Sequence, residues 1–380
     1  MEARRYFPLG KANGQAFCNR VSETKWLVSN IKAAKHSLLS APRRFGKSSL
    51  AEKAVEQSGL PMVCINFNTC TDEHEVEKLI RDGVSQLIGQ ALGSIEKLTH
   101  SIKKYVSNLT PKLILGAEYA RLELVSEKQS TSPATNVEES LNLLEKLLAE
   151  KKQSAVMILD EFQVLGLIAK GAGVEAAIRN AAQNMKYLAL IFSGSSRTLL
   201  LNMFEDESRP LYKLCRKLHL KRIEAEHYRQ HLNHAAQLNW QAHLDEVVFE
   251  RIMLLSEQHP YYVNYLCDVI WTECNHLPKV TDVDKAWRQV IEEEHSDANA
   301  EMMALPMGQK KILKFIAETS GKNLMAASSS KKTNMALSST AGAITTLVEK
   351  DIIEKQTNYY QIINPMIKVL LQSTGTNDDK

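Results

Sequence analysis

The chain holds 380 residues, 44% of them hydrophobic and 24% charged, with a formal net charge of +3 at pH 7. That length exceeds one ordinary core and calls for two or three domains. The near-neutral balance excludes a whole-molecule field drawing the protein to nucleic acid or to a membrane, so any basic surface must be local. Six cysteines (Cys18, Cys64, Cys70, Cys215, Cys267, Cys274) are scattered without a C-x-x-C pair. That favours reduced thiols in a cytoplasmic protein over a disulfide framework or a zinc site. Met1–Pro8 lacks the apolar core of a signal peptide. No run of 18 apolar residues stands anywhere to span a membrane.

In chain order, Ser22 is placed to cap a helix through Lys25–Ile31, and His36–Ser40 is a short apolar strand. The loop Ala41-Pro42-Arg43-Arg44-Phe45-Gly46-Lys47-Ser48-Ser49 follows, leading into the helix former Leu50–Val55. Strand, loop, helix is the setting of G-x-x-x-x-G-K-[ST], in which backbone N–H groups and a helix N-terminus converge on phosphates. Ala41 stands where that pattern has its first glycine. Lys47 would reach the β/γ-phosphates of ATP and Ser48 would ligate Mg2+.

Pro61–Phe67 is a buried strand and Asp72–Leu92 a helix on the stripe Val76, Leu79, Ile80, Leu87 and Ile88. Lys112–Leu115 and Arg121–Val125 form an inserted hairpin, and Ser126–Thr135 a polar loop. Asn136, with Glu139 three residues on, caps a helix buried through Val137, Leu141, Leu144 and Leu148. Ala155–Glu161 is an apolar strand ending in two carboxylates. Asp160 would hold Mg2+ and Glu161 would polarise the attacking water. A helix over Val174–Lys186 precedes a strand, Leu188–Phe192, that ends at Ser193-Gly194-Ser195-Ser196-Arg197. There Ser195 would bond the attacking water and Arg197 would stabilise transition-state charge, unless the segment is a plain strand-end turn. Arg179 and Arg209 are weaker arginine-finger candidates. Alternating strands and helices imply parallel βαβ units with ligands at the strands' carboxyl ends.

Beyond Arg222 the strands stop, and helices span His227–Trp240, Glu246–Glu257 and Tyr261–Cys274. His227, His231 and His234 share a helix face, but Tyr228 occupies the glutamate position of H-E-x-x-H, so a polar face is the better reading than a metal site. Helices over Gln309–Glu318, Asn323–Lys332 and Ser338–Lys350, then short strands at Ile352–Lys355 and Tyr359–Ile362, follow the winged helix-turn-helix order. Ser373–Lys380 is a frayed end. Residues 306–380 carry ten lysines against six acids, yet the reading helix offers hydroxyls without Arg or Asn. Phosphate contact with DNA and docking of a protein partner therefore stay equally open.

The runs Asn19-Arg20-x-x-Glu23, Pro42-Arg43-Arg44-Phe45-Gly46-Lys47-Ser48, Asp160-Glu161-Phe162-Gln163, Gly194-Ser195, Arg209-Pro210-Leu211-Tyr212 and His259-Pro260-Tyr261-Tyr262 resemble the archaeal-type ATPases of the STAND branch. These are AAA+-related P-loop proteins, and the resemblance spans nearly the whole chain. It implies an α/β P-loop NTPase core, a helical lid and a C-terminal winged helix-turn-helix, assigned to residues 1–222, 223–300 and 301–380. It also implies that Asn19 and Arg20 border the adenine pocket and that Pro260 is the lid's nucleotide-contacting proline. Gln258 stands where the family usually has glycine. The expected function is an ATP-binding, slowly hydrolysing switch, binding ATP or ADP with Mg2+ and acting on a protein partner, with oligomers allowed and no membrane role. The rival is a DNA-binding ATPase of replication-initiator or mobile-element type, loading a partner on DNA through residues 306–380.

Overall fold

A computed structural model describes residues 3–92, 109–115, 120–126, 132–168 and 171–375. They fall into two compact units, a sheet unit of residues 20–43 and 47–220 and a helical unit of residues 1–19, 44–46 and 221–380. The short α1 (Ala3–Tyr6) belongs to the helical unit.

The sheet unit opens with α2 (Val21–Lys32), β1 (Ser37–Ser40), α3 (Lys47–Ser58), β2 (Met62–Asn66) and α4 (Glu73–Leu92). The cap of α2 is Arg20 in left-handed conformation, not Ser22, whose hydroxyl lies in the first turn and donates to Glu23 Oε2 at 2.9 Å. β3 (Leu109–Leu115) and β4 (Ala120–Ser126) pair antiparallel as the expected hairpin. The expected polar loop is shorter, and its residues 127–131 lie outside the described residues. α5 (Pro133–Lys151) begins before Asn136, because Ser132 accepts from Thr135 N at 3.2 Å and Pro133 is pre-set for the first helical position. Asn136 is buried inside that helix.

β5 (Ala155–Asp160) leads through a 3-10 turn, Phe162–Leu167, to α6 (Gly171–Ala182), which starts and stops earlier than Val174–Lys186. β6 (Leu188–Gly194), α7 (Arg197–Glu205) and β7 (Arg216–His219) complete the unit. The sheet order is β2-β5-β6-β1-β7 and every pair is parallel. Such a sheet is covered on both faces, which is why β5 and β6 read as continuous apolar runs. Phe162 stands edge-on to Phe192 with ring centroids 4.8 Å apart, and Phe192 to Phe204 at 5.0 Å. These rings fix the turn after Asp160 to the strand that ends at Gly194.

The helical unit continues with α8 (Ala225–Trp240), α9 (Glu246–Ser256), α10 (Pro260–Glu273) and α11 (Val280–Met303). Tyr228, Leu232, Ile252, Tyr262, Leu266, Ile270, Trp271 and Val290 share one buried cluster. α12 (Met307–Thr319), α13 (Ala327–Thr333) and α14 (Leu337–Glu349) precede β8 (Ile353–Lys355) and β9 (Tyr360–Ile362), which pair antiparallel with Ile353 opposite Ile362. α15 (Pro365–Gly375) runs through part of the stretch expected to be frayed, and residues 376–380 lie outside the described residues. Its neighbouring Met366 and Ile367 enter different clusters, the α8–α11 cluster and the winged-helix cluster. One helix thus ties both parts of this unit together through two faces about 100° apart.

Candidate functional site

The loop between β1 and α3 is set by its backbone. Gly46 has φ +86°, a region that favours glycine, and Arg44 has φ +64°. Ala41, Pro42, Phe45 and Ser49 are buried, Ser48 is half-buried, and Arg43 and Arg44 are exposed. The first turn of α3 contains no acidic residue, so the positive end of its dipole is unopposed. Lys47 is only 8% exposed. Its Nζ donates to the carbonyl oxygens of Ala41 at 2.9 Å and Pro42 at 3.0 Å, folding back over its own loop. A buried cation beside a helix N-terminus whose first turn holds no acid fits a polyphosphate.

The ends of β5 and β6 bring the other candidates together. Ser193 Oγ donates to Asp160 Oδ1 at 2.6 Å. Glu161, at φ +53°, receives Ser195 Oγ at 2.7 Å, Ser195 N at 3.2 Å and Gln163 Nε2 at 2.6 Å, all on Oε2. Burial works against ionisation of Glu161, but the bonds from Gln163 and Ser195, aided by the Lys47 charge, outweigh it and hold the carboxyl below its ordinary value. Glu161 is therefore firmly ionised at neutral pH. Arg197 is half-buried at the first position of α7. The residues that the sequence offers for Mg2+ are Asp160, at the end of β5, and Ser48, in the first turn of α3. Two protein ligands suit an ion that takes its remaining oxygens from water and phosphate, and among the described residues no group of three or more His, Cys, Asp or Glu is placed to hold a metal.

The other two arginine candidates are committed elsewhere. Arg209 forks onto Glu175, whose side chain is 1% exposed, and Arg179 donates to the carbonyls of Pro210 at 2.8 Å and Tyr212 at 2.7 Å. Both brace the 206–214 turn. Arg20 is buried and pairs with Glu23 at 3.0 Å, while Asn19 at φ +54° belongs to the helical unit.

Within the helical unit, Arg44 lies 4.0 Å over the Tyr261 ring and pairs with Glu294 Oε2 at 3.1 Å. Tyr261 and Tyr262 donate to the two oxygens of Glu294 at 2.9 and 3.1 Å. Burial and Glu294 push the Tyr261 phenol up to about 12. His259 packs edge-on to Phe45 at 4.9 Å and is held neutral by burial and by Arg222 and Arg44. Pro260 is the first residue of α10. The His227, His231 and His234 face is not simply solvated, since Tyr6 stacks on His231 at 4.8 Å and on His234 at 6.0 Å. Glu294, Gln163 and Ser193 were not read as site residues. Glu294 could have been found as an acid on the apolar stripe Val283, Ala286, Trp287, Val290.

The sheet order, the loop and the winged helix together define an α/β P-loop ATPase fold with a C-terminal winged helix domain. Residues 299–373 match a family described as "Probable winged helix domain". The chain is similar to the solved Walker-type ATPase of Pyrococcus abyssi, with TM-score 0.69 and 18% identity over 97% of this chain and 99% of that one. It is also similar to the ORC2 protein of Aeropyrum pernix in ADPNP–ADP complexes, with TM-score 0.59 and 14% identity over 98% and 96%. At these identities the likeness is one of fold. No curated protein matches the sequence. Among the described residues no helix is long and apolar enough to cross a membrane.

Proposed function

We propose that the protein binds ATP with Mg2+ and hydrolyses it to ADP and phosphate, using the cycle as a switch. The observation that carries this reading is the grouping of a buried loop lysine, Lys47, with an ionised strand-end glutamate, Glu161, held by Ser195. In this reading Lys47 leaves the loop carbonyls for the β/γ-phosphates, and the backbone from Pro42 to Ser49 surrounds them. Ser48 and Asp160 would hold Mg2+, which would neutralise phosphate charge when bound. Glu161 takes a proton from water as its oxygen attacks the γ-phosphorus and the bond to the β-phosphate oxygen breaks. Arg197 balances the charge that develops. Asn19, Arg20 and Pro260 are proposed to border the adenine.

The switch reading has support within the helical unit. Arg222 donates to Glu257 O at 2.8 Å and Ile363 O at 3.1 Å and pairs with Glu354 at 3.2 Å, while Gln361 Nε2 donates to Glu257 Oε2 at 3.1 Å. The turn before Pro260 is thereby wired to the wing. A displacement of that turn by nucleotide would move the winged helix, on which a protein partner or DNA would act. The exposed face of α14 includes Ser338, Ser339, Gly342 and Thr345 and lacks a bidentate base reader, so the DNA-loading reading is the weaker one. The test is phosphate release from ATP·Mg2+. Wild type is expected to turn over, and Glu161→Gln to bind ATP normally but hydrolyse about a hundredfold more slowly. Equal rates would remove Glu161 as the base.

A further inference from the structure

Gln163 has no part in the mechanism above, yet its surroundings are unusually specific. It is 6% exposed and sits in the 3-10 turn two residues after Glu161. Its Nε2 donates to Glu161 Oε2 at 2.6 Å and lies 3.4 Å from Ser195 Oγ. The reversed amide would aim a carbonyl oxygen at a carboxylate, so this orientation is dictated by charge. Gln163 Oε1 is buried without a hydrogen-bond partner among the described residues, a desolvation cost that something must offset. The backbone has been cleared for it as well. A Cβ on Gly194 would lie 1.8 Å from Gln163 Oε1 and 3.0 Å from its Cδ, so any side chain at this end of β6 would push the amide out of its present position.

Ser195 N and Ser195 Oγ reach the same Glu161 oxygen at 3.2 and 2.7 Å. Three donors on Oε2 leave Oε1 as the oxygen able to accept a proton. Glu161 sits at φ +53°, a left-handed conformation that a side-chain-bearing residue adopts only at a cost. Its direction therefore depends on what holds it.

We propose that Gln163 is a positioning residue for ATP hydrolysis, clamping Glu161 Oε2 so that Oε1 faces the attacking water, with Gly194 as the clearance that lets it do so. This rests on the ATPase reading. The experiment measures kcat, KM and ATP affinity for wild type, Gln163→Leu and Gly194→Ala, each also in a Glu161→Gln background, with thermal melting as the check on folding. Both variants are expected to lose about tenfold or more in kcat, the scale of a misplaced catalytic group, with KM and affinity within about twofold of wild type. Neither should lower the residual rate further once Glu161 is Gln, because the clamp then has nothing to position. An active wild type with unchanged kcat in both variants, or an equal loss in the Glu161→Gln background, overturns the clamp alone. A wild type no faster than Glu161→Gln overturns the ATPase reading, and the clamp falls with it.

Discussion

Glu294→Gln should destabilise the helical unit far more than removal of its cationic partner does. The carboxylate receives two tyrosine hydroxyls, at 2.9 Å from Tyr261 and 3.1 Å from Tyr262, and Tyr262 is 2% exposed. A glutamine keeps one acceptor oxygen and turns an NH2 toward the other hydroxyl, which must then accept, so that its own proton loses its acceptor at a cost of about 1–3 kcal/mol. The surviving bond loses its charge assistance, about 1 kcal/mol more. The Arg44 side chain is 46% exposed, so its ion pair contributes at most about 1 kcal/mol. The total is about 3 kcal/mol, or about 6–12 °C in the melting of a unit of this size. Arg44→Ala should shift it by no more than about 4 °C. Scanning calorimetry resolves the two. Equal shifts would mean that the exposed ion pair, and not the buried tyrosine bonds, keeps Glu294 inside.

Arg209→Ala leaves the buried Glu175 without its partner and should cost about 3–5 kcal/mol. Because burial already pushes the Glu175 carboxyl up, Glu175→Gln added to Arg209→Ala should recover part of that loss, and a denaturation series on the pair checks it. Burial lowers His36, His231 (to about 4) and His259 below the ordinary imidazole value. The unfolded chain therefore binds more protons below pH about 6.5, and stability should fall as pH drops, by about 1.4 kcal/mol per unit for each histidine still neutral. Denaturation midpoints at pH 7.5, 6 and 5 would be flat if these imidazoles were solvated.

Much of the fold was legible because buried parallel strands are written as apolar runs, and Leu38-Leu39, Ala155–Leu159 and Leu188–Phe192 needed no context. β7 was not, since Arg216-Lys217-Leu218-His219 is an exposed edge strand whose pairing with β1 leaves no apolar signature. α11 was missed although Val283, Ala286, Trp287 and Val290 mark a stripe, because the acids from Glu292 to Glu301 interrupt it. α15 was not read as a helix, and its last three residues fell in the end taken as frayed, though Met366 and Ile367 each enter a core. The caps at Ser22 and Asn136 were misplaced because an oxygen-bearing residue near a helix start is common, and only the backbone decides which one lies outside the first turn. The grouping of Glu161 with Ser195 followed from both standing at strand ends. The Gln163 clamp did not, since it depends on a glycine 31 positions away and on a side-chain direction that no spacing rule encodes.

The measurement that bears most directly on the central claim is calorimetric titration of wild type and Lys47→Ala with ATP·Mg2+. Lys47 is buried, and its Nζ donates to two loop carbonyls that phosphate oxygens would replace with charge. The account predicts saturable binding to wild type and a loss of about 3 kcal/mol, about a hundredfold, in the variant. Equal affinity in the two proteins would contradict it.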